Sequence, residues 1–167
     1  MKKFGLTVIA LAFLVGGVFS QSSTSIPLIG STAPSFSAKS TNGKVVFPDD
    51  FGKSWKILFS HPQDFTPVCS SELLELAYMQ KDFERLGVKI AVISTDDVEQ
   101  HNMWKAHLEE LDYKGRGTQK INFPIFDDSK ATASKTYGML HEPVSTNKDI
   151  RGVFIICLLY TSPSPRD

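Results

Sequence analysis

Two cysteines and four histidines in 167 residues leave few groups able to do covalent chemistry near neutral pH. Cys69 stands out by position, because it follows Pro67 by two residues. Proline suits the first turn of a helix, where backbone N–H groups lack carbonyl partners and the positive end of the helix dipole lies. A thiol placed there is stabilised as the thiolate, the form that attacks oxidants, whereas a cysteine on a helix's apolar side is inert filler. Position alone leaves both readings open. The segment Cys69-Ser70-Ser71-Glu72 lacks the second cysteine of a C-x-x-C pair, which argues against disulfide exchange of the thioredoxin kind. Other candidates are weaker. Asp96 with Asp97, and Asp127 with Asp128, each precede a helical pattern, so capping explains them better than metal coordination. His101 and His107 are six apart, not the three or four that shares a helical face, and read as solvated surface. Gly115-Arg116-Gly117 lacks the strand context and the length of a phosphate loop and reads as a flexible turn.

The elements that must position Cys69 follow from periodicity. Residues 21–43 are rich in Ser, Thr, Pro and Gly and read as an exposed leading segment with one short edge strand, and Lys44 to Phe47 as a small strand. Trp55 to Ser60 is a β-type run ending at His61-Pro62. From Pro67 to Leu86 the pattern is helical, with Leu73, Leu76, Ala77 and Phe83 on one stripe, Glu75 and Gln80 nearby, and Gly87 as the stop. Val88 to Ser94 is a second strand, followed by a helix from Val98 to Glu110. Phe123 to Phe126 reads as a third strand, with Asp128 capping a helix that runs to Tyr137 and stops at Gly138. After a loop containing Pro143, Arg151 to Ile156 reads as a buried fourth strand. Such alternation predicts an α/β fold with a central mixed sheet flanked by helices.

Charge and chain ends bound the function. Lys plus Arg and Asp plus Glu are both 18, so no basic surplus exists to neutralise a nucleic acid. Residues 1–20 read as a secretory signal: Lys2 and Lys3 lead an apolar run from Leu6 to Val18, too short to span a bilayer. The expected location is therefore exported, the alternative being an uncleaved membrane anchor. Residues 21–156 form the single expected domain, incomplete at its C-terminus, and residues 157–167, with Pro163 and Pro165, read as a non-native tail or else as a short natural terminus.

The segment His61-Pro62-Gln63-Asp64-Phe65-Thr66-Pro67-Val68-Cys69 resembles the active-site segment of the peroxiredoxin family, in which Pro, three residues, Thr or Ser, two residues and Cys recur; Pro62, Thr66 and Cys69 match. Glu72 falls where that family usually has a glutamate, and Ile150-Arg151-Gly152-Val153-Phe154-Ile155-Ile156 resembles the late strand that carries its arginine. The likeness runs from about Ile26 to Ile156 and, through His61 and Phe123 to Asp128, is nearest the one-cysteine branch.

The resemblance implies a thioredoxin-like fold and reduction of hydrogen peroxide, organic hydroperoxides or peroxynitrite without metal or flavin. It casts Cys69 as the peroxidatic nucleophile, Thr66 as the group orienting the peroxide, Pro62 as a shield for the sulfur and Arg151 as holder of the thiolate and the transferring oxygen. Lowering a thiol pKa from about 8.5 to about 6 raises its thiolate fraction at pH 7 roughly thirtyfold, yet costs roughly tenfold in intrinsic nucleophilicity. Most of the rate must then come from donors that polarise the O–O bond. The sulfur must also be reachable by peroxide. His61 either tunes the pocket or caps a strand, and Glu72 is expected to make structural hydrogen bonds. An external thiol such as thioredoxin or glutathione would reduce the sulfenic acid, since Cys157 stands where related sequences usually place Asp. A homodimer or larger homo-oligomer is the expected assembly. The rival functions are a thioredoxin-like thiol-disulfide oxidoreductase and a non-enzymatic holdase.

Overall fold

The computed structural model describes residues 26–142, 144, 145 and 147–157. The expected signal segment, Pro143 and all of the expected tail but Cys157 lie outside the described residues.

Among the described residues six strands form one sheet: β1 (Phe36–Ser40), β2 (Gly43–Phe47), β3 (Trp55–Ser60), β4 (Val88–Ser94), β5 (Ile125–Asp127) and β6 (Gly152–Ile156). Their spatial order is β2-β1-β5-β4-β3-β6. β3, β4 and β5 run parallel, and the remaining pairings are antiparallel, so the sheet is mixed as expected. α1 (Pro67–Arg85) crosses from β3 to β4 and α2 (Val98–Glu109) from β4 to β5, while α3 (Thr132–Thr136) is a single turn or so.

Alternation along β4 explains the layering. Ile90 and Val92 join a core with Leu73, Leu74 and Ala77 of α1 and Trp104 and Leu108 of α2. Ala91 and Ile93 point the other way, to a core with Phe47, Phe126, Ala133 and Tyr137. A strand covered on both faces loses the polar alternation of a half-exposed one, and Val88–Ser94 is accordingly apolar through most of its length.

Several expected boundaries shift. β1 is not an edge strand but lies between β2 and β5, because its Ser40 pairs with Phe126 while its whole length pairs with β2. The third expected strand begins two residues later, at Ile125, after Pro124. The helix expected up to Tyr137 is shorter, since Ala131 at φ 53 breaks the backbone just ahead of it. Asp128 caps it even so, accepting from the N–H groups of Thr132, Ala133 and Ser134. The strand read as buried, β6, is an edge strand beginning one residue after Arg151, with Val153 and Ile155 exposed.

Candidate active site

β3 ends at Ser60, and residues 61–65 turn the chain over the sheet's edge into α1. Phe65 takes a left-handed φ of 57 within that turn, and the Asp64 N–H donates to Asp96 Oδ2 at 2.7 Å, tying the loop to the end of β4. Thr66 is the N-cap residue, Pro67 the first helical residue and Cys69 the third, so the sulfur stands in the first turn as expected. The Thr66 hydroxyl donates to the Gln63 carbonyl at 3.1 Å and makes no cap to the helix.

Arg151 comes from the opposite end of the sequence. The antiparallel register sets Ser60 against Gly152, which brings Arg151 beside the β3 terminus, and the Ser60 hydroxyl donates to the Ile150 carbonyl at 2.7 Å. A Cβ on Gly152 would lie 3.1 Å from Ser60 Oγ, so glycine allows this close approach. Arg151 Nη2 donates to Cys69 Sγ at 3.2 Å, and Arg151 Nε donates to Glu72 Oε2 at 3.0 Å. Glu72 therefore makes the structural hydrogen bond expected of it. That bond raises the proton affinity of the guanidinium against a smaller opposing effect of burial, with the sulfur adding to the rise.

Cys69, Arg151, Glu72 and His61 line one cavity of about 380 Å³, whose remaining wall includes Phe59, Leu73, Leu76 and Val153. Cys69 is only 2% exposed, so the sulfur is not open at the surface as reachability alone would ask; it is approached through the cavity. Pro62 and Thr66 are half-buried on the loop before Cys69 and are not among the residues lining this cavity.

The histidine reading needs correction. His101 is not solvated: it is fully buried, with Nδ1 2.7 Å from Asp64 Oδ2 and Nε2 3.0 Å from the Phe126 carbonyl. His107 is exposed. His61 is buried at the end of β3: its N–H donates to the Ile93 carbonyl at 3.2 Å, its Nε2 lies 2.8 Å from Asp64 Oδ1, and its ring packs 5.0 Å from that of Trp104. Asp64 thus joins two histidines and is the residue that sequence reasoning passed over. The available signal was the stripe Val98, His101, Trp104 and Leu108, whose spacing puts His101 on the buried face of α2.

His61, Asp64 and Asp96 also offer ligand atoms within 4.8 Å of one another. Those of Asp64 and Asp96 already hold His61, His101 and a backbone N–H, which fits structural bonding better than a vacant cation cage. Asp97 accepts from the Gln100 N–H at 2.8 Å, and Asp127 from those of Val98 and Ser129, so both serve helix and loop termini. In the turn around Gly115-Arg116-Gly117, Arg116 lies 3.9 Å from the centre of the Tyr78 ring and pairs with Glu75, so that segment is pinned to α1.

Residues 29–157 match the profile of the AhpC/TSA family. A peroxiredoxin of Methanosarcina mazei is 45% identical over 132 residues, covering 78% of this chain and 60% of the relative. Human Peroxiredoxin-6 is 40% identical over 126 residues, covering 75% and 54%. The chain spans less than two thirds of either relative. Among solved structures, a cysteine-to-serine mutant of the Peroxiredoxin 6 of Arenicola marina superposes with a TM-score of 0.68 at 34% identity, covering 77% of this chain and 59% of that one. The yeast mitochondrial 1-Cys peroxiredoxin, described with a thiol resolving mechanism through glutathione/thioredoxin systems, superposes with a TM-score of 0.64 at 33% identity, covering 77% and 61%.

Proposed function

The chain belongs to the AhpC/TSA family, and from that premise we propose that it is a thiol-dependent peroxidase whose nucleophile is Cys69. The observation that carries this reading is the 3.2 Å contact from the Arg151 guanidinium to the Cys69 sulfur, in the first turn of a helix and at the wall of a cavity. A fixed cation there stabilises negative charge on sulfur before reaction and on the departing oxygen during it. The Cys69 thiolate attacks one peroxide oxygen; the S–O bond forms, the O–O bond breaks, and hydroxide or alkoxide leaves and is protonated to water or alcohol. Cys69 is left as the sulfenic acid. An external thiol then condenses with it to a mixed disulfide with loss of water, and a second thiol releases the Cys69 thiol.

Arg151 and the backbone N–H groups of the α1 first turn are the donors for this step. Thr66, one turn before Cys69, would orient the peroxide with its hydroxyl, and Pro62 would restrict water. Hydrogen peroxide and organic hydroperoxides are the proposed substrates, the apolar side of the cavity favouring a small organic group. Thioredoxin or glutathione are the proposed reductants, as in the yeast relative, and a homo-oligomer the proposed assembly. Export is proposed from the Leu6 to Val18 run.

Purified protein mixed with hydrogen peroxide and dithiothreitol should turn over, and Cys69→Ser should abolish turnover. Consumption that survives Cys69→Ser would overturn the reading. Retained suppression of aggregation without any peroxide consumption would favour a holdase instead.

A further inference from the structure

Asp149 is 1% exposed and stands two residues ahead of Arg151, and among the described residues neither of its carboxylate oxygens has a hydrogen-bond partner. Such a group calls for an explanation in a native fold. The groups that face it are committed elsewhere. Asp128 holds the N–H groups of Thr132, Ala133 and Ser134, and the Ser134 hydroxyl donates to the same carboxylate. Asp96 accepts from the Asp64 N–H, and Lys148, the cation that favours a negative charge on Asp149, has its Nζ 3.7 Å from Asp96 Oδ1. Burial, with Asp128 and Asp96 adding to it, pushes the Asp149 pKa up to about 7, so its proton leaves near neutrality.

The segment that carries this carboxyl also places Arg151. Asp149 lies antiparallel to Leu140, and on either side of it the Lys148 carbonyl accepts from the His141 N–H at 2.9 Å and the Ile150 N–H donates to the Met139 carbonyl at 2.7 Å. The Ile150 carbonyl accepts from the Ser60 hydroxyl at 2.7 Å, and the next side chain, Arg151, reaches Cys69 Sγ at 3.2 Å. These bonds hold Asp149 away from water. A buried carboxylate without a partner is costly, whereas the same group in water is not, so ionisation pulls Asp149 outward against the bonds on both sides. The contact between Arg151 and Cys69 is made two residues from that pull.

We propose that Asp149 is a proton-operated catch on the Arg151 segment: protonated, it stays buried and the guanidinium is held on the Cys69 sulfur; ionised, it is drawn to water and Arg151 leaves the sulfur. The inference rests on the peroxidase reading above. Asp149 is then a positioning residue that acts through Arg151 and touches no substrate. The direction follows from linkage: the arrangement that exposes the carboxyl binds its proton more weakly, so it gains population as pH rises. Peroxide reduction per folded molecule is accordingly restrained on the alkaline side of neutrality, on top of whatever the titration of the thiol contributes.

Single-turnover oxidation of the full chain by hydrogen peroxide, compared between wild type and Asp149→Asn across neutrality, tests this, because the ratio of the two rates removes the pH dependence that both share. The rates should agree within about twofold at about pH 5.5, and the variant should be faster by about fivefold or more at about pH 8.5, a part of the roughly 10²- to 10³-fold that one such donor supplies. In an Arg151→Ala background the same replacement should leave the ratio flat across the range. A flat ratio with Arg151 present, or a pH-dependent one that persists without it, would overturn the proposal. The carboxyl ¹³C signal of Asp149 in the wild-type protein needs no variant to fold: it should titrate near the value of about 7 given above. Titration at about pH 4, the ordinary value for aspartate, would overturn the proposal as well. Turnover that survives Cys69→Ser would instead sink the peroxidase reading, while the ¹³C titration still decides whether Asp149 holds its proton to neutrality.

Discussion

Arg151 is held by two bonds that do different work, one to the sulfur of Cys69 and one to Glu72. Removing the guanidinium takes away charge stabilisation in a partly enclosed site, and loss of one such donor typically costs about 10²- to 10³-fold in rate. Arg151→Ala should therefore slow sulfenic acid formation by that order in a stopped-flow measurement, while the melting temperature moves little, because the side chain is 43% exposed and its ion pair with Glu72 lies at the surface. Equal losses of rate and stability would contradict a catalytic role. Glu72→Gln keeps a hydrogen-bond acceptor but removes the charge, so a loss of less than about tenfold is expected in the same assay. Gly152→Ala is a test of packing: the added methyl meets Ser60 Oγ, displaces the Arg151 backbone, and should lower the rate without touching any reacting group.

At the scale of elements, the short α3 depends on one side chain. Asp128 accepts from three successive N–H groups and from the Ser134 hydroxyl at 2.5 Å, and it does so from before a left-handed residue rather than from the standard cap position. Asp128→Ala leaves those buried donors unanswered and should destabilise the protein by about 2 kcal/mol or more in denaturant titration. Asp97→Ala removes a single bond at the start of α2 and should cost about 1 kcal/mol. The contrast in magnitude separates a buried junction from an exposed cap. Gln80 behaves like a junction too: its amide donates to the Lys120 carbonyl and accepts from the Asn122 N–H, fastening the approach to β5 onto α1.

For the molecule as a whole, Asp149 sets a pH dependence. Among the described residues neither of its carboxylate oxygens has a hydrogen-bond partner, and burial pushes its pKa up to about 7, with the charges of Asp128 and Asp96 adding to the rise and Lys148 opposing it. The folded state then binds this proton more tightly than the unfolded chain, whose value is near 3.8. Stability from this group is fully present below about pH 4 and is lost as pH rises to about 7. Asp149→Asn should accordingly stabilise the protein more at pH 8 than at pH 5, by roughly 2 to 3 kcal/mol, measured by thermal melts at both values. The same residue lies between Lys148, whose carbonyl accepts from His141, and Ile150, which is tied to Met139, so the segment that delivers Arg151 is braced beside a titrating group. That segment leads into β6, which presents Val153 and Ile155 on an edge strand. Charged replacements at these two positions should raise solubility, as judged by light scattering.

Helix-initiating chemistry and strand alternation are local properties, and the sequence alone was sufficient for them: Pro67 ahead of Cys69, the stop at Gly87, the apolar run of Val88–Ser94 and the capping role of Asp97 can all be read residue by residue. Contacts between residues far apart in the chain depend on strand order and register, which local periodicity does not encode. The antiparallel addition of β6 to β3 is what carries Arg151 across 82 positions to Cys69. Likewise His101 read as surface because its spacing to His107 was the wrong comparison; only the packing of α2 against β5 and the loop after β3 showed that its partner is Asp64. A buried polar group is defined by what surrounds it in space, and that is decided by the tertiary structure.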